Sequence, residues 1–204
     1  METALRAGIA IYNAGDYHEA HDAWEDRWLA LDSGTDDERF LHGLIQFTAA
    51  VHHATERNWA GVTGLADSAS DYLDGLPGEY RDVDVAGVRG YLAALHADPE
   101  RIERAPPLEL THDGDAITPD DLDFAECAAA AAVYAEDGPF DEAVIQQARA
   151  YARDDLDAGE ETSPFVTFVM DFARDGDNRG IVYQRLSERV ERRQRRESDV
   201  DGLF

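Results

Sequence analysis

Histidine and carboxylate side chains recur at helical spacing within the first sixty residues. At 3.6 residues per turn, Glu25 lies about 40° and His18 about 60° from His21 around one helix. On the next helix, His42 and His53 both lie within about 40° of Gln46. If these two stripes face each other, one polar patch unites His18, His21, Glu25, His42, Gln46 and His53.

Three kinds of chemistry are open to this set of side chains. Imidazole and carboxylate groups at positions i and i+4 can share a divalent metal ion. The candidate metal ligands are His18, His21, Glu25, His42 and His53. A metal-free pocket could instead use His21 and Glu25 as an acid–base pair, with Gln46 and His53 holding a ligand. Alternatively, hydrogen bonds among these groups could fix the angle between the two helices. No motif indicates an organic cofactor.

Hydrophobic periodicity predicts helices throughout the first half of the chain, at about residues 1–13, 16–31, 37–57, 59–75 and 85–95. The turn signals Pro106-Pro107 and Asp113-Gly114 then predict a connector with a small β-hairpin near residues 108–118. Thr118 before Pro119 predicts the start of a helix that runs to about residue 136. Three more helices follow, at about 140–157, 164–174 and 181–196. The expected fold class is all-α, a multihelical bundle of antiparallel helix hairpins.

Two motifs in this region resemble those of a known family. Residues 13–25 read NAGDYHEAHDAWE, and residues 40–46 read FLHGLIQ, followed by His53. This pattern resembles the domain-of-unknown-function family 309. The resemblance implies an all-helical fold and carries no established activity. That family usually has other residues at the positions of His18 and His42, so the resemblance implies no shared chemistry for these two histidines. It does not extend beyond about residue 105.

The composition is typical of a protein from a salt-saturated cytoplasm, such as that of haloarchaea. Acidic residues number 44 against 18 Lys plus Arg, and every one of those 18 is arginine, which gives a net charge of -26. Such a surface argues against nucleic acid or anionic lipid as a partner, because phosphate binding needs cationic groups. No stretch approaches the roughly 18 apolar residues that a membrane span needs. We therefore expect a cytoplasmic, halophilic protein without a membrane partner.

Two further features favour structural roles. Cys127 lies in an alanine-rich run, which predicts a small buried thiol in a core helix. Near the C-terminus, Glu188 and Glu191 interleave with a run of arginines, which predicts a self-paired helix end. The arginines are Arg185, Arg189, Arg192, Arg193, Arg195 and Arg196.

These observations predict a helical family domain over residues 1–105, a connector over 106–118 and a helical C-terminal extension over 119–204. The favoured function is a ligand- or protein-binding module with a His/Glu/Gln patch between the second and third helices. The alternative is a small hydrolase-like or metal-dependent enzyme that uses His21 and Glu25. No nucleophile motif is recognisable, and the sequence leaves the ligand, the partner and self-association open.

Overall fold

The structure is a computed structural model that describes residues 1–160 and 162–201. The chain folds as two compact units, of which the first ends at Leu122 and the second begins at Asp123. Helices dominate both units, and the described strands form one two-stranded antiparallel sheet. The predicted all-α fold with a small hairpin is therefore confirmed.

Five α-helices make up most of the first unit. They are α1 (Glu2–Asn13), α2 (Tyr17–Leu29), α3 (Asp36–Thr55), α4 (Trp59–Leu73) and α5 (Val85–Ala97). Each helix packs against the next one along the chain. Helices α1 and α2 are antiparallel, because Tyr12 at the end of α1 contacts Tyr17 at the start of α2, while Leu5 near the start of α1 accepts a hydrogen bond from Trp24 in the second half of α2.

The core of the first unit lies on the apolar face of α3. Phe40, Leu44, Phe47 and Val51 follow the 3.6-residue period, and all four are fully buried. Trp24 of α2 is equally buried. Since these side chains fill one side of each helix, the polar stripes of α2 and α3 are left at the margin of the core.

The predicted hairpin is present as β1 (Thr111–His112) and β2 (Asp115–Ala116). Asp113 and Gly114 have positive φ angles of 54° and 83°, as a two-residue hairpin turn requires. Asn13 of α1 fastens this segment to the helices. Its Nδ2 donates to the carbonyl oxygens of Leu110 and Ile117, and its Oδ1 accepts from the Leu110 amide. Residues 106–122 thus pack within the first unit.

The second unit contains α6 (Phe124–Glu136), α7 (Glu142–Asp157), α8 (Pro164–Arg174) and α9 (Arg179–Asp201). The apolar α8 packs against the other three helices, and its Val169 and Phe172 are fully buried. Cys127 of α6 is also buried, as predicted, and burial raises the pKa of its thiol.

The prediction of one helix from Thr118 to about residue 136 is wrong. The Thr118 cap begins only a short 3₁₀ turn, Pro119–Asp121. Helix α6 starts later, at Phe124, because Asp123 and Glu126 form a second capping box: each side chain accepts a hydrogen bond from the backbone amide of the other.

Among the described residues, no helix combines the length and the apolar character that crossing a membrane would require.

Candidate functional site

The interface between α2 and α3 holds most of the histidines in the predicted patch. Near the start of α2, the His18 ring lies against His52, with ring centroids 5.4 Å apart and planes inclined by 33°. Near the end of α2, Trp28 lies against His42 at a centroid distance of 4.3 Å. Because the helices are antiparallel, each end of the interface has its own set of partners.

The six predicted side chains do not gather at one point. His42 and His53 are eleven residues apart on α3, which corresponds to about 16 Å along a helix. One ion or one small ligand cannot contact both. The structure brings His18, His21 and His53 to one opening and places His42 in a separate cluster.

A groove of about 320 Å³ opens at the His18 end of the interface. It is lined by Tyr17, His18 and His21 of α2 and by Ala49, His52 and His53 of α3. Four of the seven histidines of the chain therefore border one space. The small side chain of Ala49 leaves room between the helices. A neutral imidazole offers one hydrogen-bond donor and one acceptor, so the groove combines apolar walls with many polar groups.

Two carboxylates lie beside His21. Its Nε2 is 4.0 Å from Asp22 Oδ1 and 3.9 Å from Glu25 Oε1. The side chains are partly open to solvent, with exposed fractions of 29% for His21, 24% for Asp22 and 45% for Glu25. Since Glu25 follows His21 by one helical turn, the pair lies on one face of α2. Asp22 was not among the predicted site residues.

His53 is held by the N-cap of the next helix. Asn58 caps α4 by accepting the Gly61 amide on Oδ1, which turns its Nδ2 toward His53 Nδ1 at 2.8 Å. Because the amide donates, Nδ1 of His53 accepts, and the neutral ring carries its proton on Nε2. A Cβ at Gly61 would approach both side chains to about 3 Å, so glycine leaves room for this contact.

His42 belongs to an aromatic cluster at the other end of the interface. Its ring stacks on Tyr72 at 3.8 Å and also contacts Trp28, whose Nε1 donates to Glu38 Oε1 at 2.9 Å. His42 Nδ1 lies 3.7 Å from the same Glu38 oxygen, which is too long for a hydrogen bond. Burial lowers the pKa of His42, and the Glu38 carboxylate opposes this shift only in part. The sequence pointed to neither Glu38 nor Tyr72.

Gln46 and Glu25 lie next to the groove rather than in its lining. Gln46 is partly buried one helical turn before Ala49. The residue that the helical projection misses is His52, which lies about 120° from Gln46 around the helix. Assuming that α2 and α3 are antiparallel would have found it, because the end of α3 then lies beside His18 at the start of α2.

Three arginines of the predicted run in α9, Arg192, Arg193 and Arg195, pair with carboxylates. Arg193 Nη1 donates to Asp155 Oδ1 at 2.6 Å, and its Nε lies 3.2 Å from Glu197 Oε1. Arg192 and Arg195 each pair with a glutamate one turn earlier, at 3.0 and 2.8 Å. Carboxylates of α9, together with Asp155 of α7, therefore neutralise part of the positive charge of this run.

The segment of the chain that contains the groove matches a known family model. Residues 5–65 match the family model described as Domain of unknown function (DUF309). The resemblance seen in the sequence is thus confirmed for this segment, which includes every lining residue of the groove. No match was found among curated proteins.

Proposed function

We propose that the first unit is a ligand-binding module and that the groove between α2 and α3 is its binding site. The observation that carries this proposal is an open space of about 320 Å³ bordered by four imidazoles. Small-molecule sites typically measure about 300–1,000 Å³ and combine apolar walls with a few convergent polar groups. Tyr17 and Ala49 supply apolar contact, and the imidazoles supply donors and acceptors.

The exposure of the polar side chains supports a binding role over a purely structural one. A hydrogen-bonded network that only fixed the helix angle would be sealed within the interface, with each polar group satisfied by another. His21, which lines the groove, is instead 29% exposed. A protein partner could use the same groove by inserting one side chain. The preponderance of carboxylates and the lack of lysine support a salt-rich cytoplasm as the setting.

A substitution that fills the groove tests this proposal. Ala49→Trp places an indole in the space between the helices, whereas Ala93→Trp adds the same side chain at an exposed position of α5. The assay is a ligand-observed NMR screen of small polar fragments against the full chain in molar KCl. We expect the wild type and Ala93→Trp to bind the same fragments and Ala49→Trp to lose them. Binding that persists in Ala49→Trp, or a screen without hits, contradicts the proposal.

A hydrolase-like enzyme is the second candidate function. It is favoured by the placement of Glu25 Oε1 3.9 Å from His21 Nε2, which would let the carboxylate orient an imidazole that is accessible to substrate. The test compares hydrolysis of simple ester and phosphoester substrates by the wild type and His21→Gln. Turnover that disappears in the variant, with an unchanged circular dichroism spectrum, supports the enzyme. Equal rates in both proteins reject it.

A further inference from the structure

We propose that α2 binds a divalent transition-metal ion at the edge of the groove through His21, Asp22 and Glu25, with His18 as a fourth donor that turns toward them. This inference rests on the proposed function, because two of the four donors, His18 and His21, line the groove. The four residues occupy two successive turns of one helix, so their side chains point toward the same region without help from a distant part of the fold.

The distances among the donor atoms fit a site that closes around an ion. One donor atom from each of His21, Asp22 and Glu25 lies within 4.8 Å of the other two, and the two contacts of His21 are 3.9 and 4.0 Å. With metal–ligand bonds of about 2.0–2.2 Å, the donors around a tetrahedral ion are roughly 3.3 Å apart. The side chains must close by roughly 1 Å when the ion binds.

His18 is the fourth donor, although it lies outside the mutually close set of His21, Asp22 and Glu25 and has to turn toward them when an ion binds. One of its ring nitrogens lies within 4.8 Å of an Asp22 oxygen. Its ring also packs against His52 across the groove, which keeps it at the interface of α2 and α3. His53 borders the same space but is not a ligand, because its Nδ1 accepts from Asn58 and its Nε2 carries the proton.

The donor set selects the type of metal. Imidazole nitrogens together with carboxylates suit Zn²⁺, Co²⁺, Ni²⁺ or Cu²⁺, whereas Mg²⁺ and Ca²⁺ prefer oxygen donors alone. Local charge also favours a cation. Between positions 16 and 26 the chain has no arginine, with Arg27 the next one, and carries the carboxylates Asp16, Glu19, Asp22, Glu25 and Asp26. The summed field of these groups concentrates divalent cations near the site.

The experiment titrates zinc into the full chain, purified without a histidine tag and stripped of metal by chelator that is then removed. Isothermal calorimetry in molar KCl gives stoichiometry and affinity, and the visible spectrum of the Co²⁺ form reports the donor set. His21→Ala and Glu25→Gln remove one donor each. The matched control is His96→Ala, which removes an exposed imidazole from outside the proposed site. His96 Nδ1 lies 2.9 Å from Asp67 Oδ1, so this histidine is paired with a single carboxylate.

We expect one zinc ion per chain. Removing a residue that only hydrogen-bonds to a metal ligand weakens metal binding about 10- to 100-fold. Removing a direct ligand should therefore lower the zinc affinity at least about tenfold. His96→Ala should bind zinc as the wild type does. Circular dichroism of each variant verifies the fold. If His21→Ala fails to fold, Glu25→Gln still tests the site, because glutamine has nearly the same shape as glutamate.

Two results overturn the metal site: no zinc uptake by the wild type, or equal weakening in Glu25→Gln and His96→Ala. The fragment screen separates this failure from that of the proposed function. If fragments bind the metal-free groove and zinc does not, the ligand-binding module stands without the metal. If neither binds, both proposals fail.

Discussion

The packing of α1 against α2 positions the groove, and the substitution Gly8→Ala tests that packing. A Cβ at Gly8 would lie 2.2 Å from Trp24 Nε1 and 2.3 Å from Cε2 of the same indole. Ordinary contact distances are about 3.5–4.0 Å. The indole cannot move aside easily, because it is fully buried and its Nε1 donates to the Leu5 carbonyl oxygen at 3.3 Å.

The expected magnitude follows from two opposing effects. Replacing glycine by alanine in a helix stabilises it by about 0.5–1 kcal/mol. Overpacking a close-packed core costs about 1–3 kcal/mol. Gly64→Ala in α4 is the matched control, since a Cβ there meets nothing within 4 Å. The difference in unfolding free energy between the two variants should therefore be about 1–3 kcal/mol, because the helix-propensity effect cancels between them.

Tryptophan fluorescence during urea unfolding measures this difference within the first unit alone. The three tryptophans of the chain, Trp24, Trp28 and Trp59, all lie in that unit. We expect Gly64→Ala to raise the urea midpoint and Gly8→Ala to lower it at constant KCl. If both variants are stabilised equally, the close approach of α1 and α2 at this crossing is refuted.

Three further predictions concern pH, the β-hairpin and salt. Because burial lowers the pKa of His42 in the folded state, the unfolded chain takes up this proton more readily, and stability should be lost as pH falls below about 6.5 toward the lower pKa of the folded state. Between pH 7.5 and 5.5 the urea midpoint of His42→Phe should fall less than that of the wild type. Equal falls in the two proteins would contradict this. Asn13→Ala removes three hydrogen bonds, to Leu110 and Ile117, and should destabilise the first unit by about 2–4 kcal/mol. An unchanged urea midpoint would show that the hydrogen bonds of Asn13 contribute nothing to stability. The melting temperature should rise between about 0.1 M and 1 M KCl, because screening shortens from about 10 Å to 3 Å around a net charge of -26; a constant melting temperature refutes this.

Helix positions were predictable because the apolar period and the caps are local properties of the chain. The period that places Phe40, Leu44 and Phe47 on one side of α3 is visible in the sequence, and all three are buried. The start of α6 was misplaced because two caps compete within a few residues. Thr118 precedes a proline and is the more obvious one, but Asp123 with Glu126 forms the capping box at which α6 begins.

The candidate site was predictable only in part, because a helical projection gives an angle and no position along the neighbouring helix. The projection correctly puts His42 and His53 on one stripe, but it gives no indication that they have different partners. Antiparallel packing assigns Trp28 to His42 and His18 to His52. It also brings His52 into the groove, although its angle on α3 suggested otherwise.

The sequence by itself determined the helical class, the side of α3 that enters the core, and the net charge of -26. These properties depend on residue type and on spacing within a few turns. Only the tertiary structure decided which polar residues meet, since that depends on the direction and offset of two helices joined by a short loop. For that reason the histidines of α2 and α3 are divided between one open groove and one aromatic cluster, rather than gathered in the single patch that their spacing predicts.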